Sequence, residues 1–285
     1  MNMIRRAVVT AALAAGSLAS MPALADENIF AYSYGSETLP KGASEAYVWI
    51  TDRRDKNLGE YNAQDYQLEV EHGLDDNFQG SLYLTFQSSH IEGLSPELGD
   101  IDRNFAFNGA KGSLKWALSS PYTSPIGVAV YLEPGFARYS AKSGERQTKL
   151  FLESKLLLQK NFMDDKLVLV GNITAEQEFE HEGGGEWESE LEFEGSTGLA
   201  YNVAPGLHLG GELRYTAAYE NFPNEFERSD YALFAGPTVH YATRRWWGTL
   251  SYQQQVAGGP DVRSGSLNLA DYTRQEVRLK LGYNF

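Results

Sequence analysis

The last thirteen residues, Thr273 to Phe285 (TRQEVRLKLGYNF), constrain the fold more than any other stretch. Val277, Leu279, Leu281, Tyr283 and Phe285 fall on one parity, while Arg274, Glu276, Arg278, Lys280 and Asn284 fall on the other. Successive side chains of a strand point to opposite faces, so this is a strand with one apolar and one charged face. It ends on an aromatic residue, with a second aromatic two positions earlier on the same face. Two architectures accommodate it: a membrane barrel closed at its C-terminal strand, or a soluble sandwich with a C-terminal edge strand.

The other end of the chain speaks to compartment. Arg5 and Arg6 precede a small apolar run, Ala7 to Ser20, and Ala23-Leu24-Ala25 supplies an A-x-A cleavage site. Residues 1–25 read as a secretory signal peptide. No later stretch offers the roughly 18 uninterrupted apolar residues of a spanning helix. The 260 residues that follow the 25-residue leader contain no cysteine and no linker-like block, and read as one domain. Losing Arg5 and Arg6 takes the formal charge from −14 to −16, because the leader contains no acid. Such acidity argues against nucleic acid as a partner.

Residues 26–42 (DENIFAYSYGSETLPKG, completed from Asp26) are irregular and read as an N-terminal periplasmic segment or a lumen contact. Residues 43–285 then divide into twelve strands: 43–52, 64–73, 78–88, 105–118, 126–139, 147–162, 166–180, 186–202, 207–219, 230–242, 246–257 and 273–285. Links after even strands are tight and rich in Asp, Asn, Pro or Gly; links after odd strands are mostly longer and more polar. One rim therefore carries turns and the other loops.

Aromatic placement separates the two architectures. On the apolar parity, Phe78, Trp116, Phe162, Tyr201, Tyr241, Trp246, Tyr283 and Phe285 lie toward the turn rim, and Tyr66, Phe86, Phe136, Phe179, Trp187, Tyr219 and Tyr231 toward the loop rim. Leu, Val, Ile, Ala and Gly fill the space between. Two aromatic belts around an aliphatic band match the two interfaces and the hydrocarbon of a bilayer, whereas a sandwich core has no reason to sort its aromatics to both ends. The opposite face, with Gln67, Glu69, Glu71, Gln79, Ser81, Lys111, Lys115, Lys149, Glu153 and Lys155, is too polar for a core and must be wet or paired. The fold class expected is all-β: a transmembrane antiparallel up-and-down β-barrel of about twelve strands, in outer-membrane lipid.

Five stretches, GSETLPKG (35–42), VYLEPGFARYSAKSGERQ (130–147), LLLQKNFMDD (156–165), GPTVHYATRRWWGTLSY (236–252) and RLKLGYNF (278–285), resemble an uncharacterised family of proteobacterial outer-membrane β-barrel proteins. The likeness covers essentially the whole mature chain. More distantly, the sequence is similar to barrels linked with pathways of aromatic-compound degradation, whose presumed role is transport. The resemblance implies location and fold, and brings no catalytic residues, metal or cofactor with it.

The strongest charge feature spans one hairpin. Glu176, Glu178 and Glu180 on the seventh strand and Glu188, Glu190, Glu192 and Glu194 on the eighth share the lumen parity. Seven carboxylates on adjacent strands repel, so they must be hydrated, paired or neutralised. One reading is an acidic pore mouth that concentrates cations; the other is a solvated wall, or one paired with lysines and arginines across the lumen. Arg274, Arg278 and Lys280 form a basic strand opposite, and closure through the last strand brings Lys280 toward Glu45 and Glu69 or Glu71.

Tyr47, Trp49, Tyr83, Tyr131 and Trp247 fall on or near the lumen parity, either to hold a solute by ring contacts or to pack against an inward segment such as Ile29 to Tyr34. For hydrolysis, Ser88, Ser89 and His90 offer a poor geometry because neighbours point to opposite faces, and His181 sits beside glutamates at a loop tip. The function expected is passage of small solutes through a charged lumen without catalysis. The alternatives are a structural or adhesive barrel with an occluded lumen, and a hydrolase with a loop-rim site.

Overall fold

The computed structural model describes residues 28–56, 59–93, 99–182, 185–224, 226–260 and 265–285; the leader read in residues 1–25 lies outside them. Twelve antiparallel strands close on themselves: β1 (Ser44–Arg54), β2 (Glu60–Asp75), β3 (Phe78–Glu92), β4 (Ile101–Ser119), β5 (Gly127–Tyr139), β6 (Arg146–Phe162), β7 (Leu167–Glu182), β8 (Glu188–Ala204), β9 (Leu207–Glu220), β10 (Arg228–Ala242), β11 (Trp246–Gly259) and β12 (Gln275–Asn284). Each strand pairs with its sequence neighbours, and β12 closes onto β1 from Glu45↔Asn284 to Arg54↔Gln275. Closure leaves no unpaired sheet edge, which is the condition for strands to cross lipid.

The barrel is apolar outside and polar inside. Leu82 is 74 % exposed and Trp246 62 %, whereas Lys280, His240 and Gln253 are fully buried. Period-2 alternation in each strand produces this sorting directly. At the turn rim Trp246, Tyr283 and Phe285 form a continuous aromatic run, with centroids 4.5 and 6.4 Å apart. At the loop rim Tyr66, Phe86 and Phe136 are joined by Phe105 and Phe107, with Phe86 stacked on Phe105 at 4.7 Å.

Simple alternation along β4 assigns Phe105 and Phe107 to the lumen, since Leu114 and Trp116 face outward. A bulge reverses them. Thr85 pairs with Gly109 but Phe86 pairs with Phe107, so Asn108 is the extra residue and Phe107 and Phe105 change face, until a second shift between Gln87 and Ser89 returns Arg103 and Ile101 to the lumen. Asn108 then ties the neighbouring strand. The register of β4 with β5 ends at Gly109↔Ala137, and the Asn108 side-chain oxygen accepts the amides of Arg138 and Tyr139 at 3.1 and 3.0 Å.

Candidate functional site in the lumen

Residues 28–39 lie inside the barrel, across its turn-rim half, and residues 40–42 are exposed at the turn rim. Apolar side chains seat the start of the segment: Ile29 and Phe30 pack on Val168, Val170 and Ala200 of β7 and β8. Phe30 needs the absence of a side chain at Gly198, where a Cβ would lie 2.6 Å from its ring. The backbone that follows has no strand to pair with, and an unpaired buried amide is costly. Lumen side chains satisfy it instead. Both carboxylate oxygens of Glu212 on β9 accept the amides of Ala31, Tyr32 and Ser33 at 3.0, 2.9 and 2.9 Å. Asn172 on β7 accepts the amide of Tyr34 at 2.6 Å and donates to its carbonyl at 3.0 Å. Gln159 on β6 takes the amide of Ser36, and Gln79 on β3 that of Leu39.

Cations hold the carbonyls and rings. Arg278 donates to Ala31 O at 3.1 Å, and Lys280 to Phe30 O at 3.4 Å. Tyr32 lies between Arg278 and Arg214, whose guanidinium carbons are 3.9 and 4.4 Å from its centroid. Tyr34 carries Lys155 at 4.4 Å and packs near Trp49 and Tyr131 at 6.3 and 6.1 Å. The rings Tyr47, Trp49, Tyr83, Tyr131 and Trp247 are all buried on the lumen face, and Trp49 and Tyr131 meet the inward segment.

Above this floor is a cavity of about 330 Å³. Tyr32 and Tyr34 form its base, and Trp49, Tyr139 and Phe151 are among its aromatic lining. Its charges are largely matched in pairs: Lys111 with Glu133 at 2.7 Å, Lys155 with Glu153 at 3.0 Å, Lys149 with Glu176 at 3.1 Å, and Arg214 with Glu276 at 2.7 Å and Glu194 at 3.6 Å.

The seven wall glutamates therefore do not stand as a bare acidic surface. Register places Glu176 opposite Glu192, Glu178 opposite Glu190 and Glu180 opposite Glu188. Lys149 bridges Glu176 and Glu178, and Lys142 grips both oxygens of Glu190 at 2.9 and 3.0 Å. Glu192 accepts from Thr216 at 2.8 Å, Glu180 from Gln147 at 3.0 Å, and Glu188 is exposed at the rim. Of the basic strand, Arg278 and Lys280 face the inward segment. Arg274 precedes β12, tied by backbone bonds to Asp55 and Gln255. Lys280 sits opposite Trp49, Glu45 sits opposite Asn284, four residues along, and Lys280 contacts Phe30 O. Glu45 accepts from Trp247 Nε1.

Residues 140–145, between β5 and β6, fold over the mouth. Ala141 O accepts from Arg53 at 2.9 Å and from Tyr61 at 3.2 Å, Lys142 O from Lys56 at 2.6 Å, and Gly144 O from Arg103 at 2.7 Å. Strand alternation does not reveal this loop's direction; its only sequence signal is Lys142 in a polar link. His90 lies on the outer face, 3.6 Å from Glu92, with Ser89 turned inward, and His181 packs against Trp187 at 5.3 Å.

A family model described as a family of unknown function, DUF6662, matches residues 22–285. The chain belongs to this family. No curated protein matches it in sequence. Among solved structures it is similar to the COG4313 outer membrane channel from Pseudomonas putida F1, at 17 % identity and a TM-score of 0.60, over 88 % of this chain and 98 % of that one. It is also similar to the NanC porin, at 10 % identity and a TM-score of 0.51, over 84 % and 98 %. At such identities the likeness is one of fold, and this family member shares with both a closed antiparallel β-barrel.

Proposed function

We propose that this protein sits in the outer membrane with its turn rim toward the periplasm and passes small hydrophilic or amphipathic solutes through its lumen. The observation that carries this is the cavity between the mouth loop and the Tyr32–Tyr34 floor, a solute-sized space on the barrel axis lined by alternating charge. Passage requires residues 28–39 to shift, since they fill the lumen below it. Charge preference is set by Glu176, Glu178, Glu180, Glu188, Glu190, Glu192 and Glu194 together with the cations that face them, and by Arg278 and Lys280 on β12. No catalytic residue is assigned. The NanC and COG4313 proteins are described as a porin and a channel, which agrees with this reading.

The test is single-channel conductance of the refolded mature chain in a planar bilayer, with reversal potential under a salt gradient. A variant with all seven wall glutamates changed to Gln is measured beside it. Wild type should conduct, and the variant should move toward anions, because Lys142 and Lys149 lose their glutamate partners and Arg214 loses Glu194. The filled lower lumen also favours a second reading, a structural barrel with an occluded bore. An inserted protein that never conducts would establish that one.

A further inference from the structure

We infer that Arg278 anchors a binding site for a small monocarboxylate with a flat apolar body, held in the lumen cavity. The inference rests on the proposal that the lumen is a solute route, and names the class of solute. Lys111, Lys149, Lys155 and Arg214, which line the cavity with it, each have a carboxylate within 4.0 Å, and the lining Asp65 is held by Arg53 at 2.7 Å. Among the described residues no carboxylate lies within that distance of Arg278. Its Nε donates to Thr51 Oγ1 at 2.8 Å and its Nη1 to Ala31 O at 3.1 Å. A guanidinium carries five N–H donors in a rigid fork, so these two bonds leave three donors for a ligand. A carboxylate is the group whose two oxygens match that fork.

The body of the ligand follows from the walls and the volume. Tyr32 lies under the guanidinium at 3.9 Å and Trp49 beside it at 5.2 Å, while Tyr139 and Phe151 extend the aromatic lining. Ring faces of this kind take a flat apolar group. About 330 Å³ is at the small end of ligand pockets, which excludes oligomers and favours a molecule of the size of benzoate. The other cavity cations each have a carboxylate within 4.0 Å, so a single anionic group suffices.

The experiment is titration calorimetry on the full mature protein in detergent with benzoate, its neutral isostere benzamide, and benzylamine. Benzoate should bind about tenfold or more tightly than benzamide, the usual margin for a charge-assisted bond, and benzylamine should not bind. Arg278→Lys, which keeps the charge and loses the fork, should weaken benzoate; Arg278→Gln should abolish the preference. Equal binding of benzoate and benzamide by the wild type, or no binding of either, overturns the site. The wild-type comparison decides this even where a variant fails to refold. Conductance of the same wild-type sample separates the two proposals: conductance without benzoate preference leaves the channel and removes the site, while benzoate preference without conductance keeps the site and removes the channel.

Discussion

Glu212 on β9 accepts the backbone amide of Tyr32 at 2.9 Å, a contact between residues 180 apart in sequence. With the amides of Ala31 and Ser33 on the same carboxylate, it is the densest attachment of the inward segment. Glu212→Gln replaces one acceptor oxygen with an NH₂ that faces N–H groups. Leaving a buried donor unsatisfied costs about 1–3 kcal/mol. The segment should detach more readily, raising open probability by roughly one to two orders of magnitude, since about 1.4 kcal/mol is tenfold. Single-channel recordings check this, and openings as rare as in wild type would remove Glu212 from the gate.

Gly198→Ala attacks the same segment through packing. The new Cβ would lie 2.6 Å from Phe30, which is 1 % exposed and has no room to retreat within the Val168, Val170 and Ala200 cluster. Overpacking of this kind costs about 1–3 kcal/mol. Because the strain falls on Phe30 and not on the barrel ladder, openings should increase while the heat-modified gel mobility of the barrel stays at wild type. A lowered barrel melting point with unchanged openings would show that the wall yields and Phe30 does not.

Lys149 is the cation shared by Glu176 and Glu178, and all three side chains are largely buried. Removing one partner of a buried pair typically costs about 3–5 kcal/mol, because the other charge stays behind. Lys149→Met should therefore lower thermal stability clearly. Lys41→Met, which breaks an exposed pair with Asp75 (side chains 66 % and 61 % accessible), should leave stability at wild type because solvent screens the pair. Unfolding in detergent followed by circular dichroism makes the comparison. Equal effects would mean that the lumen is hydrated enough to screen its charges.

Lys56, in the loop after β1, donates to Lys142 O in the mouth, and burial pushes its ammonium from the usual 10.5 down to about 7. With the mouth loops apart the group keeps its ordinary value. Between about pH 7 and 10.5 it is then neutral when docked and charged when undocked, so docking strengthens as pH rises through that window. Below it the ammonium is charged in both states, and the docked state carries the desolvation cost. A nitroxide on Ala141→Cys, in a chain with no native cysteine, should be more mobile at pH 6 than at pH 9. Lys56→Met should flatten the dependence; a mobility independent of pH in both proteins would refute the role of Lys56.

The sequence by itself determined the twelve strands, their order, the two aromatic belts and the polar lumen. Each of these depends on period-2 alternation and turn chemistry, which are local. Phe105 and Phe107 mark where local reasoning stops: a single bulge at Asn108 reverses their face, and only the pairing of β3 with β4 reveals it. The acidic hairpin was legible as residues, but its electrostatic character was decided by Lys142, Lys149 and Arg214, which arrive from a loop and from other strands. The same holds for residues 28–39. Their irregular sequence admits either a periplasmic strand of chain or an inward one, and their place in the lumen follows from Glu212, Asn172, Gln159 and Gln79, separate strands whose side chains converge once the barrel closes. Closure turns a list of lumen-facing residues into a set of distances, and distances decide which charges meet a carboxylate and which, like Arg278, bond neutral oxygens instead.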